Sequence, residues 1–183
     1  MLKHGILGLL NYGDMTGYEI SETFKNSLNY FWPAQTSQIY RELNTLEARG
    51  WITKRVVEQS SKPNKNVCSI TDDGRKELYS WLTNSEIDID MRSSILMRVF
   101  FMGNLSINES KQYFEHLNEQ YKNVSNYLQK TDEAINSYEQ VISDKKSSLF
   151  WQMTSDFGKR YAQLYIDWSR NCLNLLSELE EEQ

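Results

Sequence analysis

Apolar and polar positions follow two different rhythms along this chain. Up to about residue 82 the rhythm is short and repeatedly interrupted. Leu2, Ile6, Leu9 and Leu10 fall on one helical face, and Asn11-Tyr-Gly-Asp14 punctuates it. A second helix is predicted from about Thr16, with Tyr18, Ile20, Phe24 and Leu28 directed inward. A third follows Pro33, which suits a first helical turn because its missing N–H needs no partner there. In it Ile39, Leu43 and Leu46 fall at i, i+4 and i+7, enough to pin one face to a core, and Gly50 stops it. A β-type run over Trp51–Val57, a polar tip over residues 58–66 and a return run over Val67–Ile70 come next. Thr71 is then a good N-cap, with Asp72 and Asp73 at the positive end of the helix dipole and Leu78, Trp81 and Leu82 as the apolar face.

The second rhythm is long. Residues 83–90 read as a polar linker and Ser93–Met102 as a short apolar helix carrying Ile95, Leu96, Val99 and Phe100. Ser106 and Glu109 match a capping box. After it Phe114, Leu117, Tyr121, Val124, Leu128, Thr131, Ile135, Tyr138 and Ile142 alternate steps of three and four, the seam of a coiled coil in one helix roughly 55 Å long. Asp144–Ser148 reverses the chain. Phe150, Met153, Phe157, Tyr161, Leu164, Trp168, Cys172, Leu175 and Leu179 then form a second seam. Two such bulky stripes bury poorly in one thin hairpin, so association with a second copy is expected.

The pattern is that of a mainly α chain. Residues 1–84 are expected to form a winged helix-turn-helix with a small two-stranded β-wing. Residues 85–183 are expected to form an α-helical, antiparallel coiled-coil-like dimerisation and effector module.

Composition narrows this little. With 39% hydrophobic and 25% charged residues the chain is that of an ordinary folded protein. No apolar run approaches a membrane span, and the N-terminus reads as mature protein in a reducing cytoplasm. The net charge of −5 argues against nucleic acid until it is divided. Residues 1–75 carry nine Lys and Arg against eight Asp and Glu, and residues 35–65 carry six against three. The predicted third helix and wing are locally basic inside an acidic chain.

That patch selects the candidate residues. Gln35, Thr36, Ser37, Gln38 and Arg41 suit groove contact, since hydroxyls and helix-start amides bind phosphate while Gln and Arg read base edges. Tyr40 is expected to pack its ring inward with its hydroxyl in reach of phosphate. Lys54, Arg55, Lys62, Asn64 and Lys65 suit the DNA backbone or minor groove. Catalysis finds little support: His4 and His116 stand far apart, and no nucleotide-binding, metalloprotease or serine-hydrolase motif occurs. Asp88 and Asp90 read as solvated linker residues, and Cys68 and Cys172 lack metal spacing, so neither a cofactor nor a metal is expected.

The chain resembles the PadR family of transcriptional regulators, in the subgroup with a long C-terminal domain. The segments that carry the likeness are Ile6-Leu-Gly-Leu-Leu10, Thr16-Gly-Tyr-Glu-Ile20, Phe31-Trp32 with Ser37-Gln-Ile-Tyr40 and Leu43, and Ser69-Ile-Thr-Asp-Asp-Gly74. Lys62-Pro-Asn-Lys65, Trp81-Leu82 and Tyr165–Trp168 fit as well. Arg41 departs from the Pro common there, Pro33 from a small residue, and Cys68 from an aromatic. The resemblance implies a homodimeric repressor of nearby genes on a pseudo-palindromic operator, and in the phenolic-acid branch its release by a small aromatic carboxylate. Phe100, Tyr113, Phe157, Tyr161 and Trp168 are candidates to wall such a pocket between the domains, with Arg92 and His116 as carboxylate partners. The same aromatic stripe suits core or dimer interface. The competing reading of the whole chain is a protein–protein interaction module built on the same two folds.

Overall fold

The computed structural model describes residues 1–29, 31–57, 65–86, 92–142 and 144–182, without the side chains at 132, 134 and 140–142. They form two compact units, Met1–Asp88 and Ile89–Gln183.

In the first unit α1 (Leu2–Tyr12), β1 (Met15–Thr16), α2 (Gly17–Ser27), α3 (Thr36–Ala48), β2 (Ile52–Val57), β3 (Lys65–Ile70) and α4 (Asp72–Thr83) follow in order. The four helices pack with a sheet of order β1-β3-β2, antiparallel throughout, with Ile52 opposite Ile70 and Met15 opposite Cys68. The expected two-stranded wing is β2 paired with β3; β1, too short to show an alternation in sequence, adds a third strand beside β3. Ile6, Leu7, Leu10, Ile20, Phe24, Ile39, Leu43, Leu46 and Ile52 make the centre of the core, all at most 2% exposed. Burying each aliphatic side chain of this kind contributes roughly 1.5–3 kcal/mol before entropy is counted.

Local chemistry sets the boundaries. Thr16 caps α2 in a full box: its hydroxyl accepts from Glu19 N, and its backbone N–H donates to the Glu19 carboxylate at 2.7 Å. Those bonds hold the Glu19 carboxyl below its ordinary range. Gly50, at φ +69°, closes α3 in a Schellman turn, with Trp51 N on Leu46 O at 3.0 Å and Gly50 N on Glu47 O at 2.9 Å. Thr71 joins that turn to α4, donating its hydroxyl to Gly50 O at 2.7 Å while accepting from Gly74 N at 3.1 Å. Pro33 lies before α3, outside the first turn expected of it, because Gln35 is the N-cap. Tyr18 and Leu82 were expected inward but are 67% and 65% exposed, since their helices turn other residues to the core.

The N-terminal and last helices of this unit are clasped by a stacked pair. The His4 ring lies on the Trp81 ring at 4.5 Å and 5°, and its Nε2–H donates to Glu77 Oε1 at 3.0 Å. Lys3 reaches the same carboxylate oxygen at 2.8 Å, while His4 Nδ1 is buried without a hydrogen-bond partner.

The second unit contains α5 (Ser94–Phe100), a 3-10 turn at Met102–Asn104, α6 (Ile107–Gln129), α7 (Thr131–Ile142) and α8 (Lys145–Glu181). Ser106 and Glu109 form the expected capping box on α6. The single helix expected over residues 107–142 is broken at Lys130. There the Lys130 N–H turns back to Tyr127 O at 3.1 Å, and the Thr131 hydroxyl takes Leu128 O at 2.6 Å, competing with the helical ladder. Asp144 caps α8, which runs 37 residues antiparallel to α6 and α7.

The contact face of α8 corrects the expected seam. Phe150, Met153, Phe157, Tyr161 and Leu164 are 45–67% exposed, and the buried stripe is Ser148, Ser155, Gly158, Ala162, Ile166 and Ser169. The two stripes share the same spacing but are offset by two residues, about 200° around a helix. Small residues let the helices approach, and polar bonds set the register. Asn118 Nδ2 donates to Ile166 O and Ser169 Oγ, both at 2.8 Å; Thr131 meets Ser155 at 2.8 Å; Ser148 bonds Glu139. Farther along α8, Trp168 and Cys172 pack beside Phe114, Leu117, Tyr165 and Met102, as do Leu173 and Leu176, whereas Leu175 and Leu179 of the expected seam are exposed. Leu96 and Phe100 of α5 stay exposed; Ile95 and Val99 are the residues that pack.

Candidate nucleic-acid interface

Helix α3 has two opposite stripes. Ile39, Leu43 and Leu46 are buried. Ser37, Arg41 and Asn44 repeat the same i, i+4, i+7 spacing two positions earlier and are exposed. The helix is therefore anchored by one side with a polar, singly cationic edge on the other. Arg41 forms no ion pair among the described residues. Gln35 and Thr36 are exposed at the helix start, where backbone N–H groups lack helical partners. Gln38 is exposed too, but its amide oxygen accepts from Gln35 N at 2.9 Å, so part of its hydrogen-bonding capacity closes the helix end.

Tyr40 does not pack into the core as expected; it is 46% exposed. Its ring rests on the start of α2, where a Cβ at Gly17 would lie 2.8 Å from Tyr40 Cε1. The hydroxyl oxygen would lie 3.2 Å from the same Cβ. Gly17 is a residue the sequence alone did not single out, although it lies inside the Thr16–Ile20 segment.

The cations of the wing are mostly engaged. Lys54 does not project freely: its Nζ contacts Glu47 Oε2 and Asn44 Oδ1, both at 2.7 Å, tying β2 to α3. Arg55 reaches Asp14 at 3.1 Å with both side chains well exposed, a contact worth little in water. Lys65 is exposed at the start of β3, with Glu19 close enough to feel its charge. Lys62 and Asn64 lie outside the described residues.

In the second unit Phe157, Tyr161, Trp168 and Tyr113 of the expected effector residues join one run of ring contacts through Tyr165 and Phe114. Tyr113 and Trp168 flank Phe114 edge-on at 5.6 and 5.7 Å, and Arg98 lies over the Tyr113 ring at 5.5 Å. Phe157 and Tyr161 stack at 6.2 Å on the exposed side of α8. Tyr121 stacks on Tyr165 at 4.2 Å, and burial together with the Tyr161 and Tyr165 hydroxyls pushes its phenol well above the ordinary range. Phe100 is 82% exposed, and His116 and Arg92 are also at the surface. A depression of about 580 Å³ is lined by Glu115, Glu119, Lys122 and three asparagines with Leu173, and by none of the expected aromatics.

Other chemistry is sparse. Among the described residues no cluster of His, Cys, Asp or Glu suits a metal ion, and no helix is long and apolar enough to cross a membrane. Burial pushes the Cys68 and Cys172 thiols up, which disfavours the reactive thiolate.

A helix presented in this way beside a small antiparallel sheet, followed by an all-helical unit, defines a winged helix-turn-helix protein. The chain belongs to the PadR-like family of transcriptional regulators: residues 6–80 match the model described as "Transcriptional regulator PadR-like family", and residues 91–177 match "Virulence activator alpha C-term". It is 31% identical to the negative transcriptional regulator PadR of Bacillus subtilis (strain 168), over 97% of this chain and 98% of that one. The crystal structure of Bacillus subtilis PadR with operator DNA is similar at a TM-score of 0.80 and 31% identity, covering 96% of this chain and 98% of the other. The structure of Bacillus subtilis PadR with p-coumaric acid is similar at 0.75 and 28% identity, over 96% and 98%.

Proposed function

We propose that this chain is a homodimeric repressor that lays α3 of each copy in successive major grooves of a pseudo-palindromic operator and leaves DNA when a small aromatic carboxylate binds. The observation that carries the DNA reading is the exposed Ser37, Arg41 and Asn44 stripe, set opposite the buried Ile39, Leu43 and Leu46. Gln35, Thr36 and Gln38 stand at the groove-entering end, Tyr40 and Lys65 reach phosphate, and Lys62 and Asn64 are of residue types that suit the DNA backbone. Self-association is supported by the bulky stripe of α8, which one hairpin leaves in water. Effector control is supported by the relative bound to p-coumaric acid. Tyr113, Phe157, Tyr161, Trp168 and Phe100 are the aromatic groups available here, with Arg92 and His116 as carboxylate partners. By linkage, an effector that weakens operator binding must itself bind the operator complex more weakly by the same factor.

Fluorescence anisotropy on a labelled duplex from upstream of the gene tests this, across salt concentrations and with hydroxycinnamic acids added. The expected result is tight, steeply salt-dependent binding released by one acid. Arg41→Ala should lower affinity and, if Arg41 meets phosphate, reduce the salt slope by about one. Tight binding indifferent to every acid sinks effector control alone. Salt-insensitive or absent binding on an extended panel sinks the DNA reading and favours the interaction module.

A further inference from the structure

Asn44 and Lys54 face one another across the junction of α3 and β2, and the chemistry of that contact fixes the polarity of the recognition surface. An ammonium group has only donors, so the Asn44 atom 2.7 Å from Lys54 Nζ must be the amide oxygen. The amide cannot turn over without breaking this bond. Lys54 is itself held, since its Nζ also contacts Glu47 Oε2 at 2.7 Å, and its side chain is only 21% exposed. Asn44 therefore keeps its Oδ1 on the protein side and directs its NH2 away, on the exposed stripe with Ser37 and Arg41.

We propose that Asn44 is a specificity-determining residue of α3, held as a hydrogen-bond donor toward DNA by the Lys54–Glu47 pair, and that it selects guanine. An unrestrained asparagine reads adenine with both ends of its amide, donating to N7 and accepting from N6. Here the accepting end is already engaged, and an adenine N6 donor would approach next to an ammonium. Guanine offers two acceptors on its major-groove edge, N7 and O6, which match the two remaining hydrogens. Lys54 acts as a positioning residue. It also neutralises Glu47, whose carboxylate would otherwise face the same groove.

The inference rests on the DNA-binding reading, and one selection experiment separates the two. The full chain, Asn44→Ala and Lys54→Met are each used to enrich a duplex library randomised over both half-sites. The wild type should enrich guanine at a position that Asn44→Ala leaves unselected. Asn44→Ala should keep its other preferences and bind the wild-type site roughly 5- to 100-fold more weakly. Lys54→Met, which frees the amide to turn, should shift that position toward equal adenine and guanine. An Asn44→Ala profile identical to wild type, or weakened uniformly over all sequences as loss of a phosphate contact requires, overturns the inference. A wild-type chain that enriches nothing overturns the DNA-binding reading and this inference with it.

Discussion

The ring of Tyr40 occupies the space that a side chain at Gly17 would need. A Cβ built at Gly17 would approach Tyr40 Cε1 to 2.8 Å, Cζ to 3.1 Å and the hydroxyl oxygen to 3.2 Å. Because Tyr40 is half exposed, its ring has room to swing. Gly17→Ala should therefore change stability by less than about 1 kcal/mol while displacing the Tyr40 ring and hydroxyl. Operator affinity should fall about tenfold, and Tyr40→Phe should match it if the lost contact is a hydrogen bond to phosphate. Anisotropy and thermal melts of both variants make the check. Full affinity in Tyr40→Phe removes the hydroxyl from the interface.

Gly74 makes the opposite prediction, since its neighbour is backbone and has nowhere to go. A Cβ there would sit 2.1 Å from Trp51 O and 2.9 Å from Ile70 Cγ1. Gly74→Ala must push α4 off the end of the sheet, at a cost of about 3 kcal/mol. Urea denaturation should show a lower midpoint; an unchanged midpoint means α4 does not approach Trp51 so closely.

The His4 clasp gives the N-terminal unit an acid sensitivity. Burial lowers the His4 pKa from its ordinary 6.5 despite the Glu77 bond, so the unfolded chain takes up that proton first. The contribution is complete above pH 6.5 and is lost as pH falls below it. Glu77, held below its ordinary 4.5 by Lys3 and His4, adds a second loss at lower pH. The melting temperature should drop between pH 7 and 5 and again below 4.5. His4→Phe, which keeps a ring on Trp81, should flatten the first step. A first step unchanged in His4→Phe would assign it to another group.

Asn118 is the test of the hairpin register. Its amide satisfies Ile166 O and Ser169 Oγ inside the α6–α8 contact. Asn118→Ala should cost about 1–3 kcal/mol, and a cycle with Ser169→Ala should show coupling of at least about 0.5 kcal/mol. Strict additivity in thermal or urea unfolding would mean that the two side chains do not share a bond.

The exposed stripe of α8 predicts the oligomeric state. Phe157 is 67% and Leu164 62% exposed. Glutamate at both positions should convert a dimer into a folded monomer in sedimentation equilibrium, with helical content retained. A wild-type chain already monomeric at micromolar concentration refutes self-association.

What the sequence disclosed and what it hid follow one division. Signals that act within a turn or two of chain were legible: the Ser106–Glu109 box, the Thr71 cap, the Gly50 stop, and the Ile39, Leu43 and Leu46 face. Signals that depend on a partner were not. Periodicity reports that α8 has a bulky apolar face, but which face meets α6 is decided by how closely two helices approach. That choice favours Ser155 and Ala162 over Phe157 and Tyr161. The break at Lys130 was hidden for a related reason, because Thr131 continues the spacing in sequence while its hydroxyl bonds Leu128 O and Ser155. On the exposed side of α3, the residue types could be read directly, whereas the engagement of Lys54 by Asn44 and Glu47 requires two elements brought together.

The small-residue face of α8 reverses the usual rule about where a helix tolerates change. Its sheltered positions, Ser148, Ser155, Ala162 and Ser169, have no room to gain a carbon chain, and the three hydroxyls are held in the bonds that set the register. Its outward positions can change shape freely as long as whatever covers them changes too. Girth is constrained on one side and complementarity on the other. Related chains that keep this hairpin can thus diverge in what their outer stripe fits without altering the hairpin that carries it.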